Sequence, residues 1–282
     1  MSADPVWEGR VAGLSQTAYR SHPGLSSTTA RALLGGTVKH ALLTLEQSQP
    51  TPAMRLGTAL HCLVLEPHQY ERSIAVLPEA IDRRTKVGKA EYEAFVAAHG
   101  SHTIITSEQQ DIVESMQFSV KQCNTASQIL SIATEREVSM FHRSDRVMVA
   151  PLKARIDAVA SGHGWLVDIK TTSGLASRSE FERSIGSFGY GYQAAHYRLV
   201  ARGCGLTVNG FIFIVIETNP PHGVAVYRLK DDVIDLYEGR VIDAAKRWFA
   251  YLQYSIATGY EDQIQEIGVP AWEIKTLQET SL

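Results

Sequence analysis

Two apolar runs joined by a Gly-bearing turn, Leu152 to Val159 and Trp165 to Thr171, constrain this chain more than any other feature. Such runs, bounded by turn residues and rich in Val and Ile, form a β-hairpin. Asp157, Asp168 and Lys170 interrupt them, although an unpaired charge in an apolar strand costs on the order of several kcal/mol. Strand side chains alternate faces, so Asp168 and Lys170 point to the same side, and pairing across the turn brings Asp157 beside them. Two neighbouring carboxylates repel, and a divalent cation relieves the repulsion while keeping coordination positions open for water and a phosphate oxygen. The simplest chemistry for this cluster is metal-assisted phosphodiester hydrolysis.

The chain's 282 residues, 44% hydrophobic and 20% charged, suffice for one large core. A net charge of −3 does not mark a nucleic-acid binder by bulk electrostatics, so positive charge must be concentrated locally. Arg83, Arg84, Lys86 and Lys89 place four cations within seven residues, a candidate DNA contact whose alternative is a solvated charge run. Cys62, Cys123 and Cys204 are scattered, which indicates neither a zinc site nor a disulfide framework and suits a reducing cytoplasm. No basic segment followed by an apolar core opens the chain and no stretch reaches the roughly 18 apolar residues of a membrane span, so a soluble, cytoplasmic protein is expected.

Hydrophobic spacing predicts helices over Ser26 to Glu46, split at Gly35-Gly36, over Met54 to Leu65 and over Ser107 to Leu130. Short strands follow at Glu137 to Met140, Val147 to Val149, Leu152 to Val159 and Trp165 to Thr171, with turns at Arg143 to Asp145 and Gly162 to Gly164. After a Gly- and Ser-rich connection come a helix at Tyr190 to Arg202, strands at Gly210 to Glu217 and Val224 to Leu229, and a closing helix over Asp231 to Thr258. This order predicts an α/β fold with a mixed sheet covered by helices. The expected organisation is an extension over 1–25, one domain over 26–275 (helical part 26–130, core 131–260), and a tail over 276–282 with little to bury.

Several segments resemble the RecE-type (exonuclease VIII) branch of the PD-(D/E)xK nuclease superfamily. Gly57-Thr-Ala-Leu-His61-Cys-Leu-Val-Leu-Glu66-Pro67 is similar to its G-T-A-x-H-x-x-x-L-E-P segment, and Asp82-Arg-Arg-Thr-Lys-Val-Gly-Lys89 to its D-R-R-T-K-x-G-K loop. Glu137-Val-Ser-Met-Phe resembles the acid before the hairpin, and Gln193 to Tyr197 the Q-x-x-x-Y helix behind it. Ile156 stands where the superfamily's name expects proline; the acid after it is the part that matters. After about Gly203 only the strand and helix pattern matches.

The resemblance implies a restriction-endonuclease-like core with a helical N-terminal elaboration. Asp157 and Asp168 are expected to bind Mg²⁺, with Mn²⁺ able to substitute, and the resemblance adds His61 and the main-chain carbonyl of Ile169 as ligands. A core histidine is the alternative for His61. Glu137 is expected to hold a metal-bound water or a second cation, one or two ions occupying the site, or else to be an ordinary strand-edge acid. Lys170 orients the attacking water or neutralises charge on the phosphorane, or acts as general base. Gln193 and Tyr197 lie four apart and share a helical face directed at the site. Arg155 binds a phosphate or pairs with an acid.

The activity implied is that of a Mg²⁺-dependent exodeoxyribonuclease that degrades the 5′-ended strand of linear double-stranded DNA and leaves a 3′ overhang. The implied partners are a RecT-type single-strand annealing protein and further copies of the chain in a ring, in a bacterial or phage-infected cell. Competing readings are another nuclease of the superfamily, Cas4-like or an endonuclease, and a catalytically silent DNA-end-binding or scaffold module. Three scattered cysteines argue against the iron-sulphur nucleases, which need four.

Overall fold

The computed structural model describes residues 8–46, 50–144 and 148–279. In chain order it begins with β1 (Gly9–Val11), α1 (Gln16–Ser21), α2 (Ser27–Gly35), α3 (Val38–Glu46), α4 (Pro52–Leu65) and α5 (Tyr70–Ser73). A small unit follows: β2 (Ile74–Leu77), α6 (Lys86–Ala98) and β3 (Thr103–Thr106), leading into α7 (Ser107–Gln122) and α8 (Asn124–Ser131). Next come β4 (Glu135–His142), β5 (Leu152–Ala160), β6 (Trp165–Thr172), α9 (Arg178–Ser187) and α10 (Tyr190–Gly203). The chain closes with β7 (Gly210–Glu217), β8 (Val224–Leu229), α11 (Asp231–Tyr254) and α12 (Ala271–Glu279).

Six strands form one sheet in the order β1-β4-β5-β6-β7-β8. Every pairing is antiparallel except that of β6 with β7, whose parallel run requires a crossover, supplied by α9 and α10. The sheet is apolar on both faces. One face meets α2, α3, α10 and α11 through residues such as Leu33, Ile156, Val200, Phe213 and Val241. The other meets α4, α7 and α8 through Leu60, Met116, Val167, Ile169 and Ile214. No helix among the described residues is long and apolar enough to cross a membrane.

Several departures from the sequence reading have local causes. The helix expected to begin at Met54 starts at Pro52, because Thr51 caps it by accepting from Met54 N–H and proline fits a first turn. The helix expected over Ser107 to Leu130 breaks at Cys123, whose extended backbone ends α7 and starts α8. The closing helix stops at Tyr254, where Ser255 turns left-handed. Of the strand expected at Val147 to Val149, Val147 lies outside the described residues, as does Asp145 of the preceding turn; Met148 and Val149 are not in a strand. The Gly- and Ser-rich connection contains α9, and α12, which has no buried residue, runs from Ala271 into the expected tail as far as Glu279; 280–282 lie outside the described residues.

The parallel β2–β3 pair went unseen because neither strand exceeds four residues. Its crossover makes part of the basic loop helical. Thr85 caps α6 by accepting from Gly88 N–H, and a side chain at Gly88 would lie 2.0 Å from the Asp82 carbonyl oxygen, so only glycine fits.

The N-terminal arm was also unseen, and it bears on the site. β1 pairs with β4 at the sheet edge, and α1 is fastened to β5 by a buried cation. Lys153 Nζ donates to the carbonyls of Tyr19 at 3.1 Å, Arg20 at 3.0 Å and His22 at 2.5 Å, the orphan acceptors at the end of the helix. Lys153→Met keeps the stem and removes those donors. Its expected result is loss of about 1–3 kcal/mol, the scale of leaving buried acceptors unpaired, together with faster trypsin cleavage at Arg20 in a timed digest.

Candidate active site

The site forms where the hairpin comes apart. β5 and β6 are paired at Ala160↔Trp165, Val159↔Leu166 and Ala158↔Val167, and their pairing stops there. Beyond that point β5 stays with β4 as far as Leu152, and β6 stays with β7 as far as Thr172. Asp157 sits at the fork. Its Oδ2 accepts the Ile169 backbone N–H at 2.7 Å, so a carboxylate replaces the missing main-chain partner.

The neighbouring strand is irregular at the same level. Arg136↔Ala158 and Val138↔Ile156 flank Glu137 and place it opposite Asp157. Glu137 has φ 46°, a left-handed backbone that is uncommon for a non-glycine residue and typical of strained functional positions. On β5 the inside-outside alternation slips here, since Ile156 and Val159 pack in the same layer although three residues apart.

His61 reaches the fork from α4. Its Nε2 lies 3.0 Å from the Ile169 carbonyl oxygen, which can only accept, so Nε2 carries the proton. Nδ1 then faces Asp157 Oδ2 at 3.4 Å and Glu137 Oε1 at 4.0 Å. One ligand atom from each of His61, Glu137 and Asp157 lies within 4.8 Å of the others. A neutral imidazole would direct its lone pair at two anionic oxygens, an arrangement that needs a cation or a proton between them. The donor set of one nitrogen and carboxylate oxygens suits a divalent metal with a partly open coordination shell. Burial and the nearby Asp157 charge push the Glu137 carboxyl up to about 7.

Asp168 and Lys170 occupy the adjoining face, toward α10. Lys170 Nζ lies 2.5 Å from Asp168 Oδ2, and Gln193 Nε2 donates to Asp168 Oδ1 at 2.8 Å. The Tyr197 hydroxyl is hydrogen-bonded to Gln193, which links buried Tyr197 through half-buried Gln193 to buried Asp168. Burial, against the pull of Lys170, pushes Asp168 up to about 6. Burial also opposes the Lys170 charge, but the Asp168 and Asp157 carboxylates outweigh it and raise the pKa. An ammonium held this way is suited to neutralising or orienting an oxygen and not to accepting a proton near neutrality.

Arg155 is already engaged. Its Nη1 donates to Gln16 Oε1 and its Nη2 to the Leu14 carbonyl, while Nε stands 3.7 Å from Glu137 Oε2. Of the two roles expected for it, pairing with an acid is the one this geometry supports. The Tyr19 ring lies beneath both Arg155 and Lys153, at 5.6 and 5.1 Å. Gln16, Tyr19 and Lys153 were missed in the sequence, although Lys153 and Arg155 are charges in an apolar strand and the criterion applied to Asp168 and Lys170 would have flagged them.

The basic loop is built separately. Arg84 pairs with Asp82 through Nε at 2.9 Å and Nη2 at 3.0 Å, and Arg83 lies 5.1 Å from the Tyr92 ring centroid. With Lys89 these residues line an open cavity of about 710 Å³. Lys86 opens α6.

The Glu137 carboxyl gives a pH signature. Its folded pKa is raised to about 7 from an ordinary 4.5, so between those values the folded protein holds more protons than the unfolded chain and stability falls as pH rises. Metal-free Glu137→Gln is therefore expected to melt higher than the parent at pH 8, by about 2–4 °C per kcal/mol relieved, and to match it at pH 4. Calorimetry in chelator at the two pH values checks this.

Comparison with known proteins supplies the family context. The family described as a PDDEXK-like domain of unknown function (DUF3799) matches residues 26–256. A solved structure from Eubacterium rectale, named provisionally as an exonuclease, is similar at 10% identity and TM-score 0.62, over 93% of this chain and 97% of that one. A phage-related exonuclease from Haemophilus somnus 129PT aligns at 11% identity over 71% of this chain and 95% of its own, with a TM-score of 0.33 that is too low to argue from. None of the curated proteins matches the chain in sequence.

Proposed function

The chain belongs to the PDDEXK-like family that matches it over residues 26–256, and from that premise we propose that it is a Mg²⁺-dependent 5′-to-3′ exodeoxyribonuclease. It acts on linear double-stranded DNA and leaves a 3′ overhang for a RecT-type annealing protein, working as a ring of identical subunits. The observation that carries the nuclease reading is the fork of β5 and β6, where His61, Glu137 and Asp157 converge beside the Asp168–Lys170 pair. The polarity, the ring and the annealing partner come from the RecE-type resemblance of the Gly57 to Pro67, Asp82 to Lys89 and Gln193 to Tyr197 segments.

In this reading His61, Asp157 and Asp168 hold the cation, with the Ile169 carbonyl completing the protein's share and Glu137 holding a water or a second ion. A divalent cation here supplies positive charge for the phosphate and lowers the pKa of water. The remaining work falls to side chains. His61 is fixed in one tautomer by Ile169, so its Nδ1 lone pair is free to ligate a cation held between it and the acids. Arg155, pinned by Gln16 and Leu14, sets a positive charge 3.7 Å from Glu137. Gln193, itself hydrogen-bonded by Tyr197, orients the Asp168 carboxylate through one oxygen, and the other, next to Lys170, is the one the cation would share. Lys170 then presents a compact charge to a nonbridging oxygen of the scissile phosphate or to the attacking water. Arg83, Arg84, Lys86 and Lys89 bind the duplex through its phosphates.

The test is a linear duplex labelled at its 5′ or its 3′ ends, with a closed circle as control, incubated in Mg²⁺ with the parent protein or Asp168→Ala. Early release of 5′ label, an intact circle and a rate at least about 10²-fold lower in Asp168→Ala are expected. Cutting of the circle would make the protein an endonuclease. A folded protein that binds the ends but cuts no DNA would make it a silent module.

A further inference from the structure

We propose that Phe188 is a base-stacking platform at the mouth of the site, receiving the nucleobase next to the scissile phosphate; the inference rests on the nuclease reading above. Phe188 ends α9 and is 54% exposed, although large aromatic side chains are usually covered. It is held rigidly. Phe188 N–H donates to the Ser184 carbonyl at 2.9 Å, and Arg31 donates to the Phe188 carbonyl from α2. The next residue, Gly189, has φ +69°, and a side chain there would meet Arg31 Cδ at 2.5 Å. The turn thus fixes the Phe188 backbone just before α10, with the ring exposed.

The exposed ring is continuous with the chemistry. Phe188 and Tyr190 have centroids 5.6 Å apart with planes tilted by 30°, and Lys170 Nζ lies 4.8 Å from the Tyr190 centroid. One turn further along α10, Gln193 holds Asp168. Tyr190 is backed by Phe181 at 5.9 Å and Phe213 at 6.0 Å, so the ledge rests on the core. Arg31 is exposed and close enough to influence the Tyr190 hydroxyl, which puts a cation at the rim of the ledge. An aromatic face flanked by a cation matches a nucleotide: the base stacks on the ring and the phosphate meets the guanidinium. Every base has a π-face, so this contact senses the presence of a base and not its identity.

The experiment compares a normal blunt duplex with one whose terminal nucleotides all lack their bases, with labels at both the 5′ and 3′ ends, for the parent, Phe188→Ala and Phe188→Tyr. The ratio of first-nucleotide release from the two duplexes is read. In the parent the normal end should be favoured by about 5- to 150-fold, the size of one stacked base. Phe188→Ala should bring the ratio within about twofold of one, and Phe188→Tyr should keep it. Melting curves verify that the variants fold, which the exposure of the ring favours. A parent that cuts both duplexes equally, or a Phe188→Ala protein that keeps the preference, overturns the platform while leaving the nuclease standing. A parent that cuts neither overturns the nuclease and the platform together.

Discussion

The bond from the Ile169 N–H to the Asp157 carboxylate decides the rest of the site. A sheet normally satisfies its backbone by pairing strands to their ends, and a buried N–H left without an acceptor is costly. Here one carboxylate oxygen takes over where the main chain stops, so β5 and β6 can separate inside an otherwise continuous sheet without leaving the Ile169 donor orphaned. The gap created this way is what His61 enters from α4, and it is why the Ile169 carbonyl is available to fix the imidazole tautomer. A single residue thus does two jobs, holding the fork open and presenting charge within it.

The fork also keeps the titratable groups in two sets that work differently. On the α4 side, the His61 nitrogen and the Glu137 and Asp157 oxygens face one another with no fixed cation among them except the more distant Arg155. On the α10 side, Asp168 is neutralised by Lys170 and braced by Gln193. The first set is strained and incomplete by itself, consistent with the left-handed backbone of Glu137 and its raised pKa. The second carries its own fixed positive charge. Such an asymmetry costs stability while no cation sits among the first set, and functional sites commonly carry that cost.

The sequence made the catalytic half of the fold readable because its signals are local. An apolar hairpin with a Gly turn, a buried run at Gly210 to Glu217 and a periodic helix at Tyr190 each announce themselves within ten or so residues, and the observed β7 and β8 have the expected bounds. The alternation rule correctly put Asp168 and Lys170 on one side. What it could not show was the slip at Asp157, because where β5 leaves β6 depends on their pairing with β4 and β7, which no local pattern reports. The N-terminal arm was illegible for a similar reason. Its grip comes from Lys153 and Arg155, more than a hundred residues away, and nothing in Gln16 or Tyr19 alone points there. The segments that resemble the RecE-type L-E-P and Q-x-x-x-Y motifs named His61 and Gln193, and only the structure shows that one faces the acids while the other braces Asp168.

The central claim is that the fork is a divalent-cation site defined by Asp157 and His61. Anomalous diffraction from crystals soaked in Mn²⁺ tests it directly. The account predicts a dominant peak in bonding contact with His61 Nδ1 and an Asp157 oxygen, lost in Asp157→Asn crystals that diffract equally well. A peak confined to surface carboxylates away from the fork, or one at the fork that survives in Asp157→Asn, would contradict it.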